Sequence, residues 1–226
     1  MEFNGRRSDE LKVSLSEFPA RPRAAEKGEW AEILGRSGAL WAPGEAWGMM
    51  EIKCALLTRP GANLTEIRRW LSGAGRLIFS DDSAHAFQAR LDKALEVRPV
   101  GATGLHRITA AFSCQPFRYL TAPGKISLNA GQTIQNPGSC FSEPIIRVSG
   151  SGSGTLKINE TVTEISDLTG GVVIDSEARL AYDPAAKLNL SGRISGEWPF
   201  FEVGGNKVSF SGGITGLEIA PNWRWI

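Results

Sequence analysis

The sequence predicts a mainly β protein, in which a β-rich α+β domain is followed by an antiparallel β-sandwich. Three observations lead to this fold class. Short segments alternate apolar and polar residues, 26 glycines and 12 prolines separate them, and one helix is well marked. Alternation with a period of two is typical of strands with one buried face. With 226 residues, 42% of them hydrophobic, the chain can bury a core as one large or two small domains.

The two halves of the chain differ in charge and in glycine content. Residues 1–118 carry 17 Lys and Arg against 14 Asp and Glu, whereas residues 119–226 carry 8 against 10 and hold 15 of the glycines. We interpret residues 115–124, which contain two prolines, as a linker. The predicted domains are residues 1–120, with an arm at about 29–50, and residues 121–226.

In the first domain, three segments alternate strongly enough to predict half-buried strands. They are residues 11–15, 51–56 and 107–114. A further segment, residues 84–95, fits either a strand or a helix.

The helix is predicted from Asn63 onward. Asn63 and Glu66 form a capping pair, and Leu64, Ile67 and Leu71 then share one helical face. Glycines at 73 and 75 end the helix.

Residues 30–50 predict a long hairpin arm with its loop at residues 35–38. The segment contains Trp30, Trp41 and Trp47, and an arm cannot bury three tryptophans against itself. These rings either fold back on the domain, pack on a neighbouring subunit, or are ordinary core residues.

The second half predicts short strands about ten residues apart, as in a jelly-roll or galectin-like sandwich. We expect glycine turns at residues 150–154, 170–171, 204–205 and 212–213. The pair at 204–205 predicts a hairpin between residues 200–203 and 207–210.

The sequence offers no catalytic constellation, so we predict no enzyme, no cofactor and no metal site. There is no G-x-S-x-G elbow and no metal-ligand spacing. Cys54, Cys114 and Cys140 are expected to be incidental thiols. His85 follows an Asp81-Asp82 turn. The pattern fits either a carboxylate–imidazole cation site or a surface turn with a solvated histidine, and we favour the surface turn. No secretory signal and no apolar run long enough for a bilayer are seen, so we expect no membrane partner.

Two aromatic clusters near the C-terminus allow two interpretations. Trp198, Trp223 and Trp225 could stack sugars or could close the end of the sandwich, and the closing role is favoured.

Several segments, taken in order, resemble the distal tail proteins of siphophages, the bacteriophages with long flexible tails. The resemblance covers nearly the whole chain. Its main pieces are Phe3-Asn4-Gly5, Gly35-Arg36-Ser37-Gly38, residues 70–82, residues 112–119, Asn136-Pro137-Gly138, residues 174–177, residues 204–210 and residues 221–225.

This resemblance implies a tail-tube-like, ring-forming N-terminal domain and a galectin-like C-terminal domain. It also implies a homo-hexameric ring in the virion, at the distal end of the tail, assembled in the cytoplasm of the host bacterium. Its implied partners are the major tail tube protein, a tail-tip hub or tail-associated lysin, and a receptor-binding protein. DNA would pass through the ring without being specifically bound.

On this basis we expect Trp30, Arg36, Trp41 and Trp47 to lie at the interface between subunits. A net charge of +1 suits a wall around moving DNA, because a strongly basic channel would retain the DNA. The alternative function is a carbohydrate-binding adhesion module that contacts the host surface. The short chain has no room for the carbohydrate-binding insertion of some relatives, which favours the adaptor role.

Overall fold

The computed structural model describes residues 1–128 and 131–226, apart from the side chain of Glu45. It divides into two compact units, residues 1–121 with residue 226, and residues 122–225. Antiparallel strands dominate both units, which confirms the predicted fold class. No helix in the described part of the chain has the length and apolarity to cross a membrane.

The first unit is built on an antiparallel sheet with the order β2-β1-β7-β8-β10-β6-β3, and β9 also pairs with β10. The strands β4 and β5 form a separate two-stranded sheet. The unit also contains a short 3-10 helix, Asp9–Leu11, and the helix α1, Leu64–Trp70. The strands are β1 (Glu2–Phe3), β2 (Arg6–Arg7), β3 (Val13–Leu15), β4 (Glu26–Glu32), β5 (Ala39–Trp47), β6 (Met50–Thr58), β7 (Gly73–Phe79), β8 (Asp82–Leu91), β9 (Glu96–Pro99) and β10 (His106–Leu120).

The core of this unit follows the alternation seen in the sequence. On β6, and on β10 from Ile108 to Cys114, every second residue is buried, so that both strands present one apolar face to the core. The helix α1 covers that core with Ile67 and Trp70, and the indole Nε1 of Trp70 donates a 3.0 Å hydrogen bond to the Phe3 carbonyl. The helix is therefore fixed by apolar burial and by one buried polar contact.

The predicted helix start is confirmed. The side chain of Asn63 accepts hydrogen bonds from the backbone N–H groups of Thr65, at 2.9 Å, and Glu66, at 3.3 Å. This satisfies two of the donors that a helix leaves unpaired at its first turn. The ambiguous segment from 84 onward is a strand, because β8 extends to Leu91.

The predicted linker is wrong over residues 115–120, since β10 continues through Pro116 to Leu120. The pairing of β10 with β8 shifts register between Cys114 and Arg118. Proline has no N–H to donate to a ladder and is tolerated in strands at such irregularities. The irregularity lets the strand pass the proline without ending.

The second unit is built on antiparallel strands, of which the two longest, β13 (Ile145–Ile158) and β18 (Gly204–Ala220), pair with each other. A second 3-10 helix spans Ser191–Arg193. The strands of this unit are β11 (Ile126–Leu128), β12 (Gln132–Asn136), β13 (Ile145–Ile158), β14 (Thr161–Thr169), β15 (Val172–Asp175), β16 (Leu180–Tyr182), β17 (Ile194–Gly196), β18 (Gly204–Ala220) and β19 (Arg224–Trp225).

Two of the predicted glycine turns are wrong, because residues 150–154 lie inside β13 and residues 212–213 lie inside β18. The pairing of these strands shifts register between Ser149 and Gly154. A Cβ on Gly213 would lie 1.7 Å from the Ser151 carbonyl oxygen. These glycines therefore mark a bulge where two strand backbones come too close for any side chain.

The predicted hairpin at residues 204–205 is also wrong. Both glycines lie at the start of β18, opposite Asn136 and Gln135 of β12. The preceding segment instead joins residue 142, where Ser142 and Phe201 exchange two backbone hydrogen bonds of 2.9 Å. The turn expected at residues 170–171 does separate β14 from β15.

Candidate functional site

The hairpin arm, β4 and β5 with their connecting turn, is the most exposed apolar element that the structure describes. Every residue of β4 is exposed, and the turn places Ile33 and Leu34 in solvent. A two-stranded hairpin without an apolar backing is marginally stable in water. An arm of this composition therefore needs a surface to cover it.

Trp30 and Trp41 form the aromatic centre of the arm. They face each other across β4 and β5, with ring centroids 5.1 Å apart in an edge-to-face arrangement. Trp30 is 68% exposed and Trp41 is 37% exposed. Gly28 makes room for the second ring, because a Cβ there would lie 2.4 Å from the indole of Trp41. The pair is a preformed aromatic surface, and the described part of the chain leaves Trp30 largely exposed.

Trp47 and Arg36 occupy the two ends of the arm. Trp47 lies at the base, half-buried against the core of the first unit, and the Arg23 guanidinium stands 5.3 Å from its ring. The base is also closed by a 2.8 Å hydrogen bond from the Gly48 N–H to the Ala25 carbonyl. Arg36 is exposed in the turn at the tip. The predicted interface residues thus span the arm from an anchored base to a free tip.

The C-terminal tryptophans are not equivalent. Trp223 is 7% exposed and packs against Phe201, with ring centroids 5.4 Å apart. The Trp223 ring is buried, so sugar stacking there would require the ring to leave its packing against Phe201. Trp225 and Trp198 are half-buried.

Trp198 lines a pocket of about 390 Å³ together with charged residues that the sequence did not single out as a site. The remaining lining residues are Glu143, Arg179, Gly196, Glu197, Pro199 and Phe200. They come from three segments spread over more than fifty residues, so no local spacing signals the pocket. The pairing of Ser142 with Phe201 joins two of these segments, and the ion pair between Arg179 and Glu143 brings in the third.

The Asp82 and His85 pair forms an ion network rather than an open cation site. The Asp82 Oδ1 lies 2.7 Å from the His85 Nδ1, and the Arg118 Nη1 donates to Asp82 Oδ2 at 3.2 Å. Partial burial acts to raise the pKa of Asp82, but the contacts with His85 and Arg118 outweigh it and hold that pKa below its ordinary value. Within residues 1–128 and 131–226, no group of three or more His, Cys, Asp or Glu residues could hold a metal ion.

The three cysteines are free thiols. Burial raises the pKa of Cys54 and of Cys114 to about 12, so neither supplies a thiolate at neutral pH. Cys140 is half-buried, and its thiol donates a 3.4 Å hydrogen bond to the Arg224 carbonyl oxygen. Burial raises its pKa too, against the opposing effect of Arg224.

Comparison with solved structures gives an informative likeness. No protein-family model and no curated protein matches the chain. The crystal structure of the SPP1 Dit protein, gp 19.1, superposes with a TM-score of 0.71 over 96% of both chains, at 16% sequence identity. The chain has the Dit fold. The Dit protein is described there as a paradigm of the hub adsorption apparatus in phages that infect Gram-positive bacteria.

The Dit likeness confirms the resemblance to a siphophage distal tail protein at the level of the fold. It covers both units of the chain rather than one domain, since the matched share is 96% on each side. A fold hosts many functions, so the role of this chain has to be argued from its own surfaces.

Proposed function

We propose that the chain is a non-enzymatic structural component of a phage tail tip. Six copies close into a ring that joins the tail tube to the tail-tip hub or tail-associated lysin and to a receptor-binding protein. The ring leaves a channel for DNA. It takes its place at the distal end of the virion after assembly in the host cytoplasm.

The observation that carries this proposal is the exposed arm. Trp30, at 68% exposure, and Leu34, fully exposed at the tip, are large apolar side chains that a monomer leaves in water. Aromatic residues are enriched at protein interfaces, where they bury a large area at low entropic cost. An arm that reaches a different surface on the next copy makes a heterologous contact, and such contacts form a ring when the rotation between successive copies closes.

Trp47 and Arg36 take separate roles in this ring. Trp47 holds the base of the arm against its own unit through Arg23 and the core, and so it fixes the direction of the arm. Trp30, Trp41 and Arg36 then contact the neighbouring subunit.

The charge balance supports a channel that does not retain DNA. The formal net charge is +1, and several basic groups are already paired with carboxylates. Glu51, for example, forms ion pairs with both Lys53 and Lys93. A channel wall of this kind displaces few counterions from DNA, so it binds DNA weakly and lets it move.

Native mass spectrometry of the purified chain, alone and mixed with the tail tube protein, tests the proposal. We expect a hexamer, either from the chain alone or once the tube protein is present to template it. A discrete dimer, or a monomer under both conditions, would contradict the ring.

A further inference from the structure

The pocket around Trp198 lies in the second unit and shares no residue with the hairpin arm. Its floor and walls combine an aromatic ring, Phe200, with the side chains of Glu143, Arg179 and Glu197. At about 390 Å³ it falls within the size range of small-molecule sites. It is an open, mixed polar and aromatic pocket.

The segment that carries Trp198 is held at both ends. At one end, the Glu197 N–H donates to the Val162 carbonyl at 3.0 Å, and the Thr163 hydroxyl donates to the Glu197 carbonyl at 2.6 Å. At the other end, Phe201 is fully buried and exchanges backbone hydrogen bonds with Ser142. Trp198 is therefore presented from a fixed backbone, which lowers the ordering cost of binding.

The carboxylate of Glu143 is also fixed. Its Oε2 lies 3.1 Å from the Nη1 of Arg224 and its Oε1 lies 3.5 Å from the Nη2 of Arg179. Arg224 is 2% exposed, donates to the Phe141 carbonyl at 2.6 Å, and stands 4.4 Å from the Phe141 ring. Phe141 in turn meets Phe200 edge to face, with centroids 6.4 Å apart. A buried cation and two aromatic rings thus hold the polar wall of the pocket in place.

We propose that this pocket binds a neutral saccharide unit. A sugar ring has an apolar C–H face that packs on an aromatic side chain, and hydroxyl groups that each need a donor and an acceptor when they leave water. Trp198 and Phe200 offer the apolar surface. Glu143 and Glu197 offer acceptors, and Arg179 offers a fork of donors.

The charges favour a neutral ligand over an anion. Two carboxylates and one guanidinium line the pocket, and the Arg224 guanidinium lies behind Glu143. The formal charges cancel, so a phosphate or a carboxylate ligand would meet Glu143 and Glu197 without a surplus of positive charge. A purely apolar ligand would displace water from those carboxylates and from Arg179 without replacing the lost hydrogen bonds.

Ligand-observed NMR and calorimetric titration of the full chain test the proposal. The probes are the methyl glycosides of glucose, galactose and N-acetylglucosamine, their β-linked disaccharides, and inorganic phosphate as the anion. We expect at least one neutral saccharide to bind with a dissociation constant on the order of 1 mM or lower, and phosphate not to compete with it.

Trp198→Ala should weaken that binding at least about tenfold, because it removes the stacking surface. Arg179→Ala, which changes a side chain that is 60% exposed, should weaken it without lowering thermal stability. Leu188→Ala, an exposed apolar change elsewhere in the same unit, is the matched control and should leave binding unchanged.

Two results would overturn the proposal. One is the absence of saturable binding by every saccharide probe. The other is equal binding by the wild type, Trp198→Ala and Arg179→Ala, all folded as judged by thermal unfolding. These outcomes are independent of ring formation, because binding is measured per chain.

Discussion

Asn206 is fully buried, and its side-chain amide makes hydrogen bonds through both of its polar atoms. Its Nδ2 donates to the carbonyls of Glu202, at 2.9 Å, and Gly204, at 3.0 Å. Its Oδ1 accepts from the Glu202 N–H, at 2.8 Å, and from the Asn159 Nδ2, at 2.9 Å. One side chain therefore fixes the entry into β18 and ties it to the end of β13.

Replacing this residue by Asn206→Ala should lower the free energy of unfolding by about 3 kcal/mol, since it removes the hydrogen-bond partner of the Glu202 N–H and of the Glu202 and Gly204 carbonyls and leaves a small cavity at a fully buried position. Urea unfolding measures the loss. Asn189→Ala, at an exposed position, is the matched control and should cost less than about 1 kcal/mol. If Asn206→Ala lowered the free energy of unfolding no more than Asn189→Ala does, the hydrogen-bond network would contribute little to stability.

Asp82 makes stability depend on pH in a defined direction. The pKa of the Asp82 carboxyl is lower in the folded chain than its unfolded value of about 4. The ionised carboxylate therefore stabilises the fold above about pH 4, and this stabilisation is lost as the pH falls through the folded-state pKa. The stability gap between the wild type and Asp82→Asn should therefore be constant near pH 7 and should shrink below about pH 4. Chemical unfolding at several pH values measures it, and a gap that widens in acid would contradict the assignment.

The cysteines should differ in reactivity. In the folded chain at pH 8, iodoacetamide should label Cys140 ahead of Cys54 and Cys114, whose pKa of about 12 reflects complete burial in the first unit's core. Peptide mass spectrometry identifies the labelled site, and the urea-unfolded chain, in which all three should react, is the control. Early labelling of Cys54 would mean that β6 opens readily.

The arm is an element whose stability depends on what covers it. Covering Trp30 from its 68% exposure would remove on the order of 130 Å² from water, which is worth about 3 kcal/mol per copy. That contribution is repeated at each contact of a closed ring.

The double variant Trp30→Ala and Trp41→Ala should therefore abolish the hexamer while leaving the far-ultraviolet circular dichroism of the folded chain nearly unchanged. Native mass spectrometry measures assembly and circular dichroism measures folding, so the two effects are read separately. Leu188→Ala, an exposed apolar change in the second unit, should leave assembly intact. An oligomer that survives the double variant would show that the arm does not hold it together.

The local elements that could be predicted from sequence are those decided by neighbouring residues. Alternation on β6 and β10 and the Asn63 cap of α1 are local signals, and the structure agrees with them. The glycines of β13 and β18 were misinterpreted because a bulge between two long strands requires the same residue as a turn. Pro116 was misinterpreted because the register shift that accommodates it in β10 is set by β8, a partner more than twenty residues earlier.

The two candidate sites also differ in how far they could be predicted from neighbouring residues. The arm was predictable, since Trp30 and Trp41 are close in sequence and surrounded by turn signals. The pocket was not, apart from Trp198, because Glu143 and Arg179 join it only through the fold. Trp223 shows the limit of residue type as a guide. Its ring is buried, whereas that of Trp225, two residues later, is only half-buried.

The molecule as a whole combines two compact units that match the Dit fold along 96% of the chain. In our account, the first unit supplies the ring through its arm, and the second unit supplies the Trp198 pocket. Repeating a weak saccharide site in one ring would raise its effective strength through multivalency. The two functions would then support each other without sharing residues.

The contact between the arm and a neighbouring copy can be measured directly by photo-crosslinking. A benzophenone amino acid replaces Leu34 at the arm tip in a mixture of ¹⁴N-labelled and ¹⁵N-labelled chains, and mass spectrometry identifies which chains become joined after irradiation. We expect abundant crosslinks between light and heavy chains, formed in an assembly that has the mass of six chains. Crosslinks confined to single chains, at any protein concentration and with the tail tube protein present, would contradict it.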